Sequence, residues 1–319
     1  MVDVVTFGEA MVFMNPQKVG PLTYITDFKK RMGGAEANVA IGLARLGHEV
    51  GWFGKLGKDP HGKYIENFIR GEGVDTQHIL CDSELPTGLY FKERSAVGES
   101  RFHHYRHGSA ASDFHPEDLP VEYISDAKYL HITGIFPALS DNCLATTRRA
   151  IEIAKENGVR ISFDPNVRGQ LWESEGEIRS VLNNLLSQAD IALPGVGEGK
   201  RLFGTDDPWK IASECLDRGP DTAVVKLGPE GALVSNGKST ECVEAPNLEH
   251  EVDPVGAGDG FAAGFLAGRL EGLNLSRSVR LGNGVGALAT TVTSDVEGLP
   301  SRTELNTFLR NGELTTKRA

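Results

Sequence analysis

Apolar positions along the chain follow two alternating rhythms. Short runs rich in Val, Ile and Phe occur at Val2–Phe7, Val50–Gly54, Lys128–Ile132, Val159–Phe163, Asp190–Leu193 and Thr222–Lys226. Their length and β-branched content predict buried strands. Longer stretches with helical spacing lie between them. Ala37–Leu46 is closed by Gly47, and Asp59-Pro60 supplies an N-cap with proline at the first helical position, for a helix running to about Arg70. Ser140 caps a further helix whose Leu144, Ile151 and Ala154 share one side, with Gly158 after its end. Strands alternating with helices predict an α/β fold with a doubly wound, mostly parallel sheet. Such sheets bind ligands at the carboxyl ends of their strands.

Two stretches break the rhythm. Leu22–Arg31 and roughly Thr87–Arg106 look like strands with no helix between them, the second carrying Leu89-Tyr90-Phe91 and Phe102-His103-His104-Tyr105. They predict a small antiparallel β lid, built from about 10–32 and 86–112. No Pro/Gly/Ser-rich linker sets it apart, so it reads as an insert in one domain spanning 1–310, with 311–319 as a tail.

Composition narrows the function classes. Hydrophobic residues make up 39% and charged residues 24% of 319, which suits a globular chain with a large core. The net charge of −11 argues against nucleic-acid binding, which needs a basic face. A small anionic substrate stays compatible, because a few arginines in a cleft suffice. Cys81, Cys143, Cys215 and Cys242 form no C-x-x-C pair, so free thiols in a reducing compartment are expected. The start, MVDVVTFGEAMV, lacks the pattern of a signal peptide, and no apolar run approaches the ~18 residues that span a bilayer. A cytoplasmic protein without membrane partners is the expectation. Gly8-Glu9-Ala10 follows the first strand where a dinucleotide fingerprint would need G-x-G-x-x-G, which disfavours a dehydrogenase.

The segment richest in chemistry is Asp253-Pro254-Val255-Gly256-Ala257-Gly258-Asp259-Gly260-Phe261, followed by the small apolar run Ala262–Gly268. Gly256, Ala257 and Gly258 would sit at a helix N-terminus, whose free N–H groups and positive dipole end suit a phosphate. Asp259 has two readings. It is a good first-turn residue, or it is a general base that takes a proton from an attacking hydroxyl.

G-A-G-D opening a small-residue helix resembles the second signature of the PfkB (ribokinase-like) carbohydrate kinases. The first signature is matched by Gly33-Gly34-Ala35-Glu36-Ala37-Asn38, continuing through Leu46-Gly47 to Gly54-Lys55-Leu56-Gly57-Lys58-Asp59. The two motifs stand at opposite ends of the chain, in the family's order, so the resemblance covers nearly all of it. It implies a kinase that uses ATP and Mg²⁺, with Asp259 as catalytic base and the N–H groups of Gly256, Ala257 and Gly258 as anion hole. It implies sugar contact at Gly33, Gly34 and Asn38, and nucleotide contact at Lys226, Gly228, Gly231, Gly256, Gly258 and Asn283. Glu198 matches the family's N-x-x-E glutamate, which organises water around magnesium, but Gly195 replaces the Asn. A homodimer or higher oligomer is also implied.

Arg106 ends the expected lid, and Arg168 lies in Asp164-Pro165-Asn166-Val167-Arg168 beyond a strand's carboxyl end. Either is a surface charge or a clamp for a carboxylate, whose two oxygens match a guanidinium fork. The surroundings are similar to those of 2-keto-3-deoxygluconate kinases within the family. That subgroup implies a keto-sugar acid as substrate, touched by Tyr90, Arg106 and Arg168. His104 stands where the subgroup has a substrate-contacting tyrosine. The alternatives are a fructokinase or other neutral-sugar kinase, and a non-catalytic sugar- or nucleotide-binding protein on the same fold.

Overall fold

The structure, a computed structural model, describes residues 2–95, 100–248, 251–293 and 295–316. Residues 96–99 of the expected lid and 317–319 of the expected tail lie outside the described residues. The amino-terminal part runs β1 (Val4–Phe7), β2 (Met11–Pro16), β3 (Phe28–Gly33), α1 (Ala35–Arg45), β4 (Val50–Phe53), β5 (Lys55–Gly57), α2 (Pro60–Gly71) and β6 (Leu80–Asp82). Then come β7 (Leu89–Glu93), β8 (Arg101–Tyr105), α3 (Val121–Ser125), β9 (Tyr129–Thr133), α4 (Asp141–Glu156) and β10 (Arg160–Asp164). The chain continues through α5 (Glu175–Leu186), β11 (Ile191–Ala192), α6 (Val196–Phe203), α7 (Pro208–Arg218), β12 (Thr222–Lys226), β13 (Ala232–Ser235) and β14 (Thr240–Val243). It ends with α8 (Ala257–Leu270), α9 (Leu275–Ala289) and α10 (Arg302–Thr316), so the expected tail begins as the end of a helix.

The main sheet has the order β14-β13-β12-β11-β10-β9-β1-β4. Pairings from β4 to β12 are parallel, and β13 and β14 add an antiparallel edge. Strand alternation divides the core. Val4 and Val224 pack with Val39, Phe265 and Val285 of α1, α8 and α9 on one face. Val5, Phe7 and Val225 pack with Ile151 and Leu182 of α4 and α5 on the other. Helix caps fall where sequence places them: Asp59 accepts from the His61 and Gly62 N–H groups, and Ser140 from that of Cys143. Small residues let α8 and α9 approach closely. A Cβ on Gly264 would stand 2.6 Å from the Leu281 carbonyl oxygen.

The lid is a four-stranded sheet of order β3-β2-β7-β8. Its two outer pairings are antiparallel, as expected, but the middle pair, β2 with β7, runs parallel. Each antiparallel pair is joined by a short local connection, whereas β2 and β7 are separated by a long excursion through α1 and α2, which permits parallel pairing. Leu22–Tyr24 is a 3₁₀ turn rather than strand, and the strand starts only at Phe28.

Candidate active site

Asn166, just after β10, and Lys226, at the end of β12, face the N-terminus of α8, and the candidate site forms there. Asp259 lies in the first turn of α8. Asn38, buried in the first turn of α1, donates from Nδ2 to Asp259 Oδ2 at 2.8 Å. Asn166 donates to the other oxygen at 3.4 Å. Burial pushes the Asp259 carboxyl up to about 6; the Asn38 hydrogen bond, Arg168 and Lys226 oppose that rise, and Asp164 adds to it. Asn166 holds a left-handed conformation, φ 36°, which asparagine tolerates better than most residues.

The turn before α1 needs its two glycines for distinct reasons. A Cβ on Gly33 would stand 2.2 Å from the Tyr90 hydroxyl, and one on Gly34, at φ 153°, would stand 2.5 Å from the Glu9 carbonyl oxygen. Asn38 thereby reaches Asp259 from a tightly seated helix start. Among the described residues its Oδ1 is buried without a partner, an acceptor open to a ligand hydroxyl.

Gly256 caps α8 at φ 82°. The N–H groups of Gly256, Gly258 and Asp259 donate to no protein group among the described residues, whereas that of Ala257 turns to the Pro254 carbonyl at 3.2 Å. Three donors therefore face the cleft. Lys226, at the end of β12, donates to Asp164 Oδ2 at 2.6 Å. Its ammonium also lies 3.7 Å from where a Cβ of Gly258 would be. Burial alone would lower the Lys226 pKa, but Asp164 and Glu198 outweigh it and the ammonium is held charged. Dipole, amides and ammonium together suit an anion.

Glu198 sits at the edge of this group. Its oxygens accept from the backbone N–H of Gly195 at 2.7 Å and of Val167 at 2.9 Å. Gly195 contributes through its backbone, so an asparagine side chain is not needed for that contact. Burial raises the Glu198 pKa. Each oxygen keeps a second lone pair, which fits a metal ion that retains its waters. Among the described residues no three His, Cys, Asp or Glu side chains are grouped to ligate a metal directly.

Beside the anion site opens a cavity of about 400 Å³, lined by Gly228, Gly231, Pro246, Leu248, Phe261 and Asn283 among others. Gly228 has φ 64° and open space at its Cβ position; a Cβ on Gly231 would stand 2.1 Å from the Val243 carbonyl oxygen. Asn283 uses its amide to hold the Val243 and Glu244 carbonyls at 2.9 and 3.2 Å, shaping the cavity wall. Apolar walls with a phosphate-sized anion site at one end fit a nucleotide.

The second sheet borders the opposite side, where the Tyr90 hydroxyl stands 2.2 Å from the Gly33 Cβ position. The Tyr90 hydroxyl donates to Asp295 at 3.0 Å, and burial beside that carboxyl raises the Tyr90 pKa far. Arg106 is ion-paired with Glu9, whose other oxygen accepts from Ser109 at 3.0 Å. Among the described residues the Arg106 Nε is buried without a partner. Arg168 is exposed, and its side chain makes no hydrogen bond or ion pair among the described residues. His104 stacks on Tyr90, ring centroids 5.4 Å apart, while His103 faces Glu93 at 3.7 Å. Desolvation against the lid, then the charges of Arg106 and Arg168, hold His104 down at about 4. A histidine on β8 therefore feels both the lid arginine and the body arginine.

Several site residues escape a reading of the sequence. Glu9, Asp164, Asn166 and Asp295 each pair with a residue singled out there. Glu36, buried and accepting from Thr133 at 2.6 Å, is pushed up to about 7 by burial, as is Asp295. D-x-N-x-R carried the signal for Asp164 and Asn166, whereas Asp295 has no local motif.

Known proteins match the chain along nearly all of its length. The 2-dehydro-3-deoxygluconokinase of Bacillus subtilis (strain 168) is 40% identical over 308 residues, 96% of this chain and 95% of that one. That of Thermoproteus tenax is 34% identical, over 97% of this chain and 95% of its own. An Escherichia coli protein described as ribokinase II, solved with ATP and Mg²⁺, superposes with a TM-score of 0.91 at 28% identity, over 98% of this chain and all (100%) of that one. The model of the pfkB family carbohydrate kinases matches residues 1–302, and the chain belongs to that family.

Proposed function

We propose that this protein transfers the γ-phosphoryl group of ATP to the 6-hydroxyl of 2-keto-3-deoxygluconate. As a carbohydrate kinase of its family it uses ATP and a divalent metal ion. Asp259, ionised above about pH 6, accepts the hydroxyl proton, and Asn38 and Asn166 orient its two oxygens. The amides of Gly256, Gly258 and Asp259, with Lys226, stabilise charge on the transferring group. A hydrated Mg²⁺ held through water by Glu198 would neutralise phosphate oxygens. Gly33, Gly34 and the unpartnered Asn38 Oδ1 border the sugar, and Tyr90 and His104 cover it from the lid.

What supports the keto-acid reading is the similarity to two 2-dehydro-3-deoxygluconokinases, at 40% and 34% identity, in a chain that sets Arg106 on the lid side and an exposed Arg168 after β10. Arg168, whose side chain makes no hydrogen bond or ion pair among the described residues, and the Nε of Arg106, which is otherwise paired with Glu9, would supply a carboxylate with donors that a neutral hexose does not need. Arg168→Ala tests this. Losing a charge-assisted hydrogen bond of roughly 1.5–3 kcal/mol raises KM for the keto acid about 10- to 150-fold. An unchanged KM would move the substrate to the neutral sugars. We place the enzyme in the cytoplasm as a homo-oligomer acting through one domain, 1–310. Cys143 and Cys215 are buried free thiols, and no helix among the described residues is long and apolar enough to cross a membrane.

A further inference from the structure

Alternation along β7 turns Tyr90 and Lys92 to the same inner face of the lid, where they are 5% and 4% exposed. Tyr90 reaches Asp295. Lys92 is ion-paired with Asp253, and its ammonium lies 5.5 Å from the centre of the Phe102 ring. Asp253 is itself buried, and its Oδ1 accepts from the Val255 N–H at 3.3 Å. The same carboxylate therefore ties the lid to the turn that becomes the start of α8. The next glycine in that turn, Gly256, is wedged against the other latched loop: its Cβ position lies 2.6 Å from the Asp295 carbonyl oxygen. Two more ties hold this base of the lid, Asn15 to the Thr293 carbonyl at 2.7 Å and Arg31 to Glu297.

A buried lysine is costly, and a neutral residue would fill the space as well. Here the ammonium sits where lid and phosphoryl site meet. We propose that Lys92 is a positioning residue for phosphoryl transfer: from the lid it holds Asp253, and through Asp253 it holds the turn 253–256 that aims the N–H groups of α8. The strand that covers the sugar and the turn that receives the phosphoryl group are thereby one mechanical unit. This inference rests on the kinase reading above and adds a residue that touches neither substrate.

Removing Lys92 alone leaves Asp253 buried and unpaired, which can unfold the chain. The decisive variant is Lys92→Met/Asp253→Asn, which leaves no charge behind. Its melting temperature should stay near that of the wild type and KM for the sugar acid should change little, while kcat falls roughly 10- to 100-fold, the cost of misaimed groups. Lys92→Ala should regain part of its kcat on addition of ethylammonium. Wild-type kcat in the folded double variant would overturn the proposal, and so would a double variant that does not fold, since the pair would then serve the fold alone. A wild-type protein that phosphorylates no sugar acid would instead remove the reading beneath it.

Discussion

Replacing Asn38 by Leu, close to it in size, removes the shorter hydrogen bond to Asp259, 2.8 Å from Nδ2 to Oδ2. That bond favours the ionised carboxylate, so its loss must raise the pKa. A hydrogen bond to a charged group is worth roughly 1.5–3 kcal/mol. At 1.36 kcal/mol per unit, the Asp259 pKa should climb by about 1–2 units. It starts at about 6 in the folded protein. At pH ~6.5, a rise of about 1.5 units lowers the ionised fraction from about three quarters to about a tenth. The assay is kcat/KM for the sugar acid across pH 5 to 9. The acid limb should move toward higher pH, and the deficit should be largest at low pH and shrink toward pH 9. An acid limb that stays in place, with kcat/KM depressed equally at all pH values, would refute the reasoning and leave Asn38 as a sugar contact only.

Two further outcomes follow from the same groups. Asp259→Asn should keep ATP affinity, measured by calorimetry, and lose turnover by roughly 10²- to 10⁴-fold; near-normal turnover would remove Asp259 as base. Glu36, Asp259 and Asp295 have folded-state pKa values raised to about 7, about 6 and about 7. The folded state binds these protons more tightly than the unfolded one, so stability should increase as pH falls through that range. Buried His131, held at about 3, and His104, at about 4, act oppositely once pH drops below their unfolded value of 6.5. The clean window is pH ~8 to 7, before the unfolded histidines protonate, and there the melting temperature should rise; a flat or falling curve would contradict the assigned burial of these carboxyls.

Legibility in the sequence followed the range of the interactions. Parallel strands such as Thr222–Lys226 and caps such as Ser140 are local, and periodicity and side-chain chemistry suffice to place them. The helix start at Gly256–Asp259 was equally readable, because its pattern lies in a few adjacent residues. The β2–β7 pairing was not, since register between strands joined by a long excursion depends on what fills that excursion. Nor was the partner of Arg106. Glu9 lies nearly a hundred residues earlier, directly after β1, and nothing near it marks a buried acid. Asp295 and Lys92 belong to the same class: their roles arise only where the lid meets the loops around α8.

The keto-acid kinase reading is tested most directly by ADP release from Mg-ATP, with 2-keto-3-deoxygluconate, fructose and ribose compared side by side. The account predicts turnover with the keto acid and a kcat/KM for it well above those for the two neutral sugars. A preference for fructose or ribose would contradict it and return Arg106 and Arg168 to roles in structure alone.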